Sequence, residues 1–409
     1  MIFTGLTQLL VRSRATRHND PMRLLLFAFV FVITTGGWSA YGQDEKEVVQ
    51  RIKKLGGIVN SGDKPPLPSV ALVGLDKTKI TDEQLQMLAT LKDLEALGLS
   101  DTRIGDDGIK HLADLTKLHD LDLTRTRVTG ATLKGFRALR TLYLEGAPIT
   151  DSGLKEIAGL PSLEYLALQR TNVTDAGLKH LSSHKKLALL FLKGCKVTDS
   201  GLKDIGAITT LRMLELGQTT VTDEGVKEVA RLKDLLEINL ADTHVTDLSL
   251  ETLAGLPTLG AIYLDNTKVG DIGVLKLAAA KQMQGLSLRG TKVTDVGVKT
   301  IAGFPLLNTL DLASTRVTDA GLRELSAAPR LGSLKLAKCG VTDVGVIAFL
   351  ESRKYMNELD LSGTTTSDAV LRHLVRFRTL RHLNVGRTSV TAEELAKCRT
   401  ALPRCKIVD

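Results

Sequence analysis

His180 and His184 lie four residues apart in a stretch with helical periodicity, so both imidazoles would share one helical face at the spacing from which two histidines chelate a metal ion. No acidic third ligand is near in sequence, and Lys185-Lys186 would repel a cation, so the pair reads instead as an exposed helix end. A second candidate is the aspartate of V-T-D-x-G-L, as in Val173-Thr174-Asp175-Ala176-Gly177-Leu178, which recurs in twelve of fourteen copies. A column of acids invites a calcium reading, but copies about one turn of chain apart lack the clustered ligands that a calcium ion needs. Helix capping accounts for them better: Thr and Asp oxygens accept from free amides of the first turn, and negative charge there suits the helix dipole. There is no G-x-S-x-G elbow, no phosphate-binding G-x-x-x-x-G-K-S/T loop, no H-E-x-x-H helix and no strand followed by G-x-G-x-x-G. The chain is expected to be a non-enzyme with no cofactor and no metal.

The elements that carry these residues repeat. Leu163 to Leu187 reads LEYLALQRTNVTDAGLKHLSSHKKL, in which Leu166 and Leu168 alternate as a strand requires and Leu178 and Leu181 recur three apart as one helical face requires. Steps of about 24 residues find strand openings at Val70, Leu94, Leu118, Leu139, Leu163, Leu187, Leu211, Leu235, Leu259, Met283, Leu307, Leu331, Met356 and Leu380. The period predicts one elongated α/β body, a right-handed β/α solenoid with a parallel sheet on its concave face and helices on its convex face. Two repeats break it. The third, Leu118 to Ala138, should lose the last turn of its helix but keep Leu133 and Phe136, and the twelfth ends in the polar Glu351-Ser352-Arg353-Lys354. Threonines eight residues past most openings, such as Thr171, Thr219 and Thr243, read as a hydrogen-bonding ladder where the strand turns away.

Around the repeats (70–401) the ends differ. Residues 1–42 read as an export signal: Met22-Arg23, a candidate true start, opens into the apolar run Leu24 to Ile33, and Ala40-Tyr41-Gly42 is a small-x-small cleavage site. The expected location is therefore outside the cytoplasm, in periplasm, envelope or medium, with membrane attachment only if that segment stays uncleaved. Residues 43–69 form a cap and linker, with Val48, Val49, Ile52 and Leu55 on one helical face, Gly56-Gly57 ending the helix, and Ile58-Val59 starting a strand. Residues 402–409 are a truncated last repeat. Of four cysteines, Cys195 and Cys339 occupy the threonine column as buried thiols, while Cys398 and Cys405 sit seven apart at the open end. An oxidising compartment would join that pair into a clasp; otherwise they are two unpaired cap residues. The formal charge is +8, and loss of residues 1–42 leaves 50 basic against 45 acidic residues, interleaved along the chain with no nucleic-acid stripe.

Concave-facing positions lie two, four and six residues after each opening. Most are polar or small and mixed in sign. The exception is a block at Tyr143, Tyr165, Leu189, Phe191 and Met213, on adjacent strands about 4.8 Å apart. Solvent-facing rings on an uncovered sheet would make a partner-binding hot spot, against the alternative that they pack on one another to shield the sheet. Glu237, Asp242, Asp265 and Asp311 form a looser acidic zone, and Tyr263 adds a ring within it.

With L-x-x-L-x-L-x-x-T/C and V-T-D-x-G-L in hand, residues 70–407 resemble the cysteine-containing class of leucine-rich repeats, known from F-box substrate receptors and similar to arrays in exported bacterial proteins. The bacterial arrays fit the signal, the Leu55-Gly56-Gly57 helix end and the closing Leu402-Pro403-Arg404-Cys405-Lys406-Ile407. The open trough of a regular solenoid and the empty motif searches lead to the expectation of a protein-binding module, a monomer holding a macromolecular partner on its concave face. Two rival readings are a substrate-receptor subunit of a degradation complex, which needs an F-box domain that the sequence does not show, and a glycan-binding envelope protein whose tyrosines would stack on sugar rings.

Overall fold

Each repeat is built by the same local logic. Leucines on one side of a three-residue strand, such as Leu166 beside Tyr165–Ala167, are driven inward, while the chain must then turn and return to start the next strand in the same direction. The turn is a left-handed residue seven past every opening: ten are non-glycine, from Arg125 at φ 53° to Lys338 at 60°, and Gly146, Gly194, Gly290 and Gly363 fill the other four. Such backbone is strained for an L-residue, and hydrogen bonding holds it: Arg170 N–H donates to the Lys193 carbonyl (2.8 Å) one repeat on.

The computed structural model describes residues 43–61 and 70–409; the export-signal reading of residues 1–42 and the linker at 62–69 lie outside the described residues. Among the described residues, sixteen strands form one sheet in strict sequence order. The first, β1 (Ile58–Ser61), pairs antiparallel with β2 (Val70–Gly74), and each later strand pairs parallel with the one before it, as Tyr165 does with Thr141 and Leu189. Helices and short 3-10 turns between strands cover the other side, and a continuous aliphatic core runs the length of the array. Helix α1 (Gln43–Lys54) buries Val48, Val49 and Ile52 against the open first repeat, so the apolar end of the stack is covered.

The V-T-D-x-G-L motif works between repeats as well as within them. Thr174 Oγ1 caps its own helix, accepting from Ala176 N–H at 3.3 Å. Asp175 does not cap its own first turn, which corrects the sequence reading. Its carboxylate reaches the next repeat and accepts from both Thr198 N–H (2.9 Å) and Thr198 Oγ1 (2.6 Å). The same forward staple joins Asp271 to Thr294 and Asp319 to Thr342. Charge-assisted bonds of this kind contribute roughly 1.5–3 kcal/mol each. The motif's glycine follows from the staple: a Cβ on Gly201 would stand 2.4 Å from Asp175 Oδ1. Where serine replaces it, at Ser249, the amide and hydroxyl both donate to Asp223.

Three further expectations are corrected. The threonine column is not a ladder, because each hydroxyl bonds the carbonyl three residues back in its own turn, as Thr171 does with Leu168 (2.7 Å). The third repeat retains only a 3-10 turn, Leu133–Gly135, in place of a shortened helix. Without an aspartate to staple there, the next repeat closes in, and a Cβ on Gly153 would lie 2.1 Å from the Thr129 carbonyl oxygen. In the twelfth repeat Arg353 is buried rather than part of a polar end. It follows the helix Asp343–Glu351 and turns back to donate to the carbonyls of Leu325 (3.2 Å), Ser326 (2.5 Å) and Ala328, the unsatisfied end of the preceding helix, with its guanidinium 4.9 Å from the Phe349 ring centroid.

Candidate functional site

Parallel pairing one repeat apart lines the concave side chains up in rows. One row runs Thr141, Tyr165, Leu189, Met213, Glu237, and the next runs Tyr143, Ala167, Phe191, Glu215, Asn239, Tyr263. The structure therefore brings the predicted block together, but it does not leave the rings open. Tyr165 is 1% exposed, Tyr143 and Phe191 are buried, and Met213 and Ala167 complete a small apolar cluster with half-buried Leu189 at its margin. The expectation of solvent-facing rings is corrected. The physical cause is spacing: aromatic faces on neighbouring strands stack before water can enter, with ring centroids at 4.7 Å for Tyr143–Tyr165 and 5.0 Å for Tyr165–Phe191. Ala167, between Tyr143 and Phe191 in its row, is small enough to admit the central ring. What reaches solvent from this side is Leu189 and, two strands beyond Glu215, Tyr263, both half-buried.

Carboxylates adjoin this floor. Glu215, 8% exposed, accepts from Gln169 Nε2 (3.4 Å) and Asn239 Nδ2 (3.3 Å), and Glu237 is 4% exposed. Further along, Asp265 accepts from Ser287 Oγ and Arg289 N–H, yet burial raises its pKa above the usual range. Asp311 is pushed up to about 6, chiefly by burial and also by Asp265, against the opposing Ala313 N–H and Lys335. Asp242, by contrast, is exposed and takes a bond from Asn266 Nδ2 (2.8 Å).

The Asp311 carboxyl holds its proton in the folded chain at pH values where the unfolded chain has already lost it. Its favourable contribution is therefore complete below about pH 4 and is lost as pH rises through about 6. Asp311→Asn, which keeps the acceptor for Ala313, is expected to stabilise the protein by about 2 kcal/mol near pH 8 and by nothing near pH 4. Urea titrations at the two pH values check this; an Asn variant no more stable than the parent near pH 8 would contradict it.

The other chemical candidates resolve as structural groups. His184 is buried, not at an exposed helix end: burial lowers its pKa, while a bond to the Leu160 carbonyl opposes that. His180, at the other end of the short 3-10 turn Lys179–Ser183, stays half-buried. Among the described residues no group of three or more His, Cys, Asp or Glu side chains is placed to hold a metal. Cys195 and Cys339 are buried and donate to the carbonyls of Leu168 and Leu312, each at 3.0 Å. Cys398 and Cys405 are free thiols here, with burial pushing the Cys405 thiol up to about 11, so a clasp between them stands as a proposal for oxidised protein.

One surface has a sequence signal that the motif reading passed over. The x of V-T-D-x-G is polar or small in early repeats, at Ser152, Ala176, Ser200 and Glu224, and is a larger exposed aliphatic residue in four later ones, at Leu248, Ile272, Val296 and Val344, with Ala320 and Ala369 in the others. Leu248, Ile272 and Val296 stand at this position in three successive repeats.

A family model described as Leucine Rich repeat matches residues 90–113, 137–158, 159–182, 305–326 and 331–350. Among solved structures, an internalin from Listeria monocytogenes is 21% identical over 90% of this chain and 94% of its own, with a TM-score of 0.58. A TDR receptor is 15% identical over 79% of this chain and 56% of its own, with a TM-score of 0.51. A leucine-rich-repeat protein from Leptospira interrogans is 17% identical over 81% of this chain and 95% of its own, at 0.47. The likenesses to the internalin and the TDR receptor are ones of fold. No curated protein matches the sequence.

Proposed function

We propose that this leucine-rich-repeat protein is an exported binding module, with no chemistry of its own, that holds a protein partner on its concave sheet. The observation that carries the reading is the concave surface itself: parallel strands in register, with no described element covering them and a rigid aromatic floor whose rings already hold one another in place. A surface that is ordered before binding loses little conformational freedom when a partner docks. The floor also favours a protein over a glycan, because sugar rings need open aromatic faces and the three stacked rings offer none. Support for export comes from the run Leu24 to Ile33 and the Ala40-Tyr41-Gly42 site. No helix among the described residues is long and apolar enough to cross a membrane.

The partner-facing residues in this reading are Leu189 and Tyr263, with Tyr143, Tyr165, Phe191 and Met213 as the floor beneath. Immobilised full chain should recover a partner from envelope extract, and Leu189→Arg, at the margin of the floor, should reduce recovery by about tenfold or more with an unchanged melting temperature. Lys227→Ala, on the exposed side of the helix Asp223–Val229, should recover as much as the parent. Equal recovery by Leu189→Arg and parent would remove the concave face from the proposal.

A further inference from the structure

Residues 43–409 carry 50 basic against 45 acidic residues, yet the concave sheet is acidic, which corrects the expectation that its positions are mixed in sign. At the positions two, four and six residues past the fourteen openings stand ten carboxylates, against only Lys193, Arg289 and Lys335. The basic surplus of residues 43–409 therefore lies away from those sheet positions, and the sheet face has the opposite sign to the remainder of that stretch. Within that face the aromatic floor and the acids meet along the strand register, which sets Met213 beside Glu237 and Phe191 beside Glu215. Both glutamates are more than nine-tenths buried, in a region where neighbouring rings and aliphatic groups keep the local polarity low.

We infer that the concave sheet takes a cationic polypeptide segment, whose lysine or arginine heads meet Glu215 and Glu237 while their aliphatic stems lie over the Phe191–Met213 floor. This deepens the concave-face reading and rests on it. Long basic side chains suit such a surface because an apolar stem and a charged head are satisfied together, and a charge pair shielded from water is stronger than one in bulk solvent. Asp265 and Asp311 extend the acidic run for further basic residues, and burial raises the pKa of both carboxyls. Anionic partners, nucleic acid included, would meet ten carboxylates. A divalent ion lacks a converging ligand set among the described residues. The overall positive charge repels polycations elsewhere, so it confines such a partner to the sheet.

The probes are fluorescent octalysine and octaglutamate peptides, titrated against the full chain at about 50 mM and about 500 mM salt. Octalysine should bind, more weakly at high salt, and octaglutamate should not. Glu215→Gln combined with Glu237→Gln should weaken octalysine by about tenfold or more. Glu224→Gln, exposed on a helix, should leave it unchanged. If the buried pair does not tolerate substitution, Asp265→Asn with Asp311→Asn, both half-buried, should give a loss in the same direction. Octalysine binding no tighter than octaglutamate, or equal in both double variants and parent, overturns the inference. If that happens while Leu189→Arg still abolishes recovery of a partner from extract, the concave face stands and its cationic partner falls. If no concave substitution changes either readout, both fall.

Discussion

Tyr165→Ala should lower the unfolding free energy by about 4 kcal/mol, although Tyr165 lies on the side of the sheet that no helix among the described residues covers. Its ring is 1% exposed and stacks on Tyr143 and Phe191, so truncation removes two aromatic contacts and opens the flanks of both partners to water. Tyr263→Ala, half-buried on the same face but outside the block, is the matched control and should cost about 1 kcal/mol. Denaturant titration of the two variants reads the difference. A loss for Tyr165→Ala no larger than for Tyr263→Ala would mean that the rings stand apart in solution, and would restore them as an open platform for a ligand.

The second large effect belongs to Arg353. Arg353→Ala should cost about 3 kcal/mol, because three carbonyls at the end of the preceding helix lose their donor in a place that water reaches poorly. Burial already pulls the guanidinium pKa down, so the group is held by geometry and stacking rather than by an opposing carboxylate. Two consequences distinguish this from an ordinary surface charge. The loss should be nearly independent of salt, and Arg353→Lys should recover less than half of it, since one ammonium cannot span three carbonyls. Hydrogen exchange should show lost protection centred on the helix Asp319–Leu325 and the strand Ser333–Lys335, as expected where each repeat leans on its neighbours. A lysine variant as stable as the parent would show that charge alone suffices.

The leucine spacing was enough, without coordinates, to place the strands and to say which side of each faces inward, because both are decided by contacts within one repeat: alternation over five residues for the strand, a three-residue step for the helix. The row of Tyr165, Leu189 and Met213 was legible for the same reason, since a constant period puts equivalent residues in register. What lay beyond the sequence was every property that depends on how closely successive repeats approach. Asp175 pairs 23 residues ahead, and only the stacking distance makes Thr198 a nearer partner than its own helix amides. His184 and Arg353 read as polar helix ends, but each end is tucked against the previous repeat, beside the Leu160 and Ala328 carbonyls. The rings of Tyr143, Tyr165 and Phe191 were placed correctly on the uncovered face, yet their burial was decided in three dimensions, where strand spacing is close to the stacking distance of two aromatic faces and leaves no room for water between them.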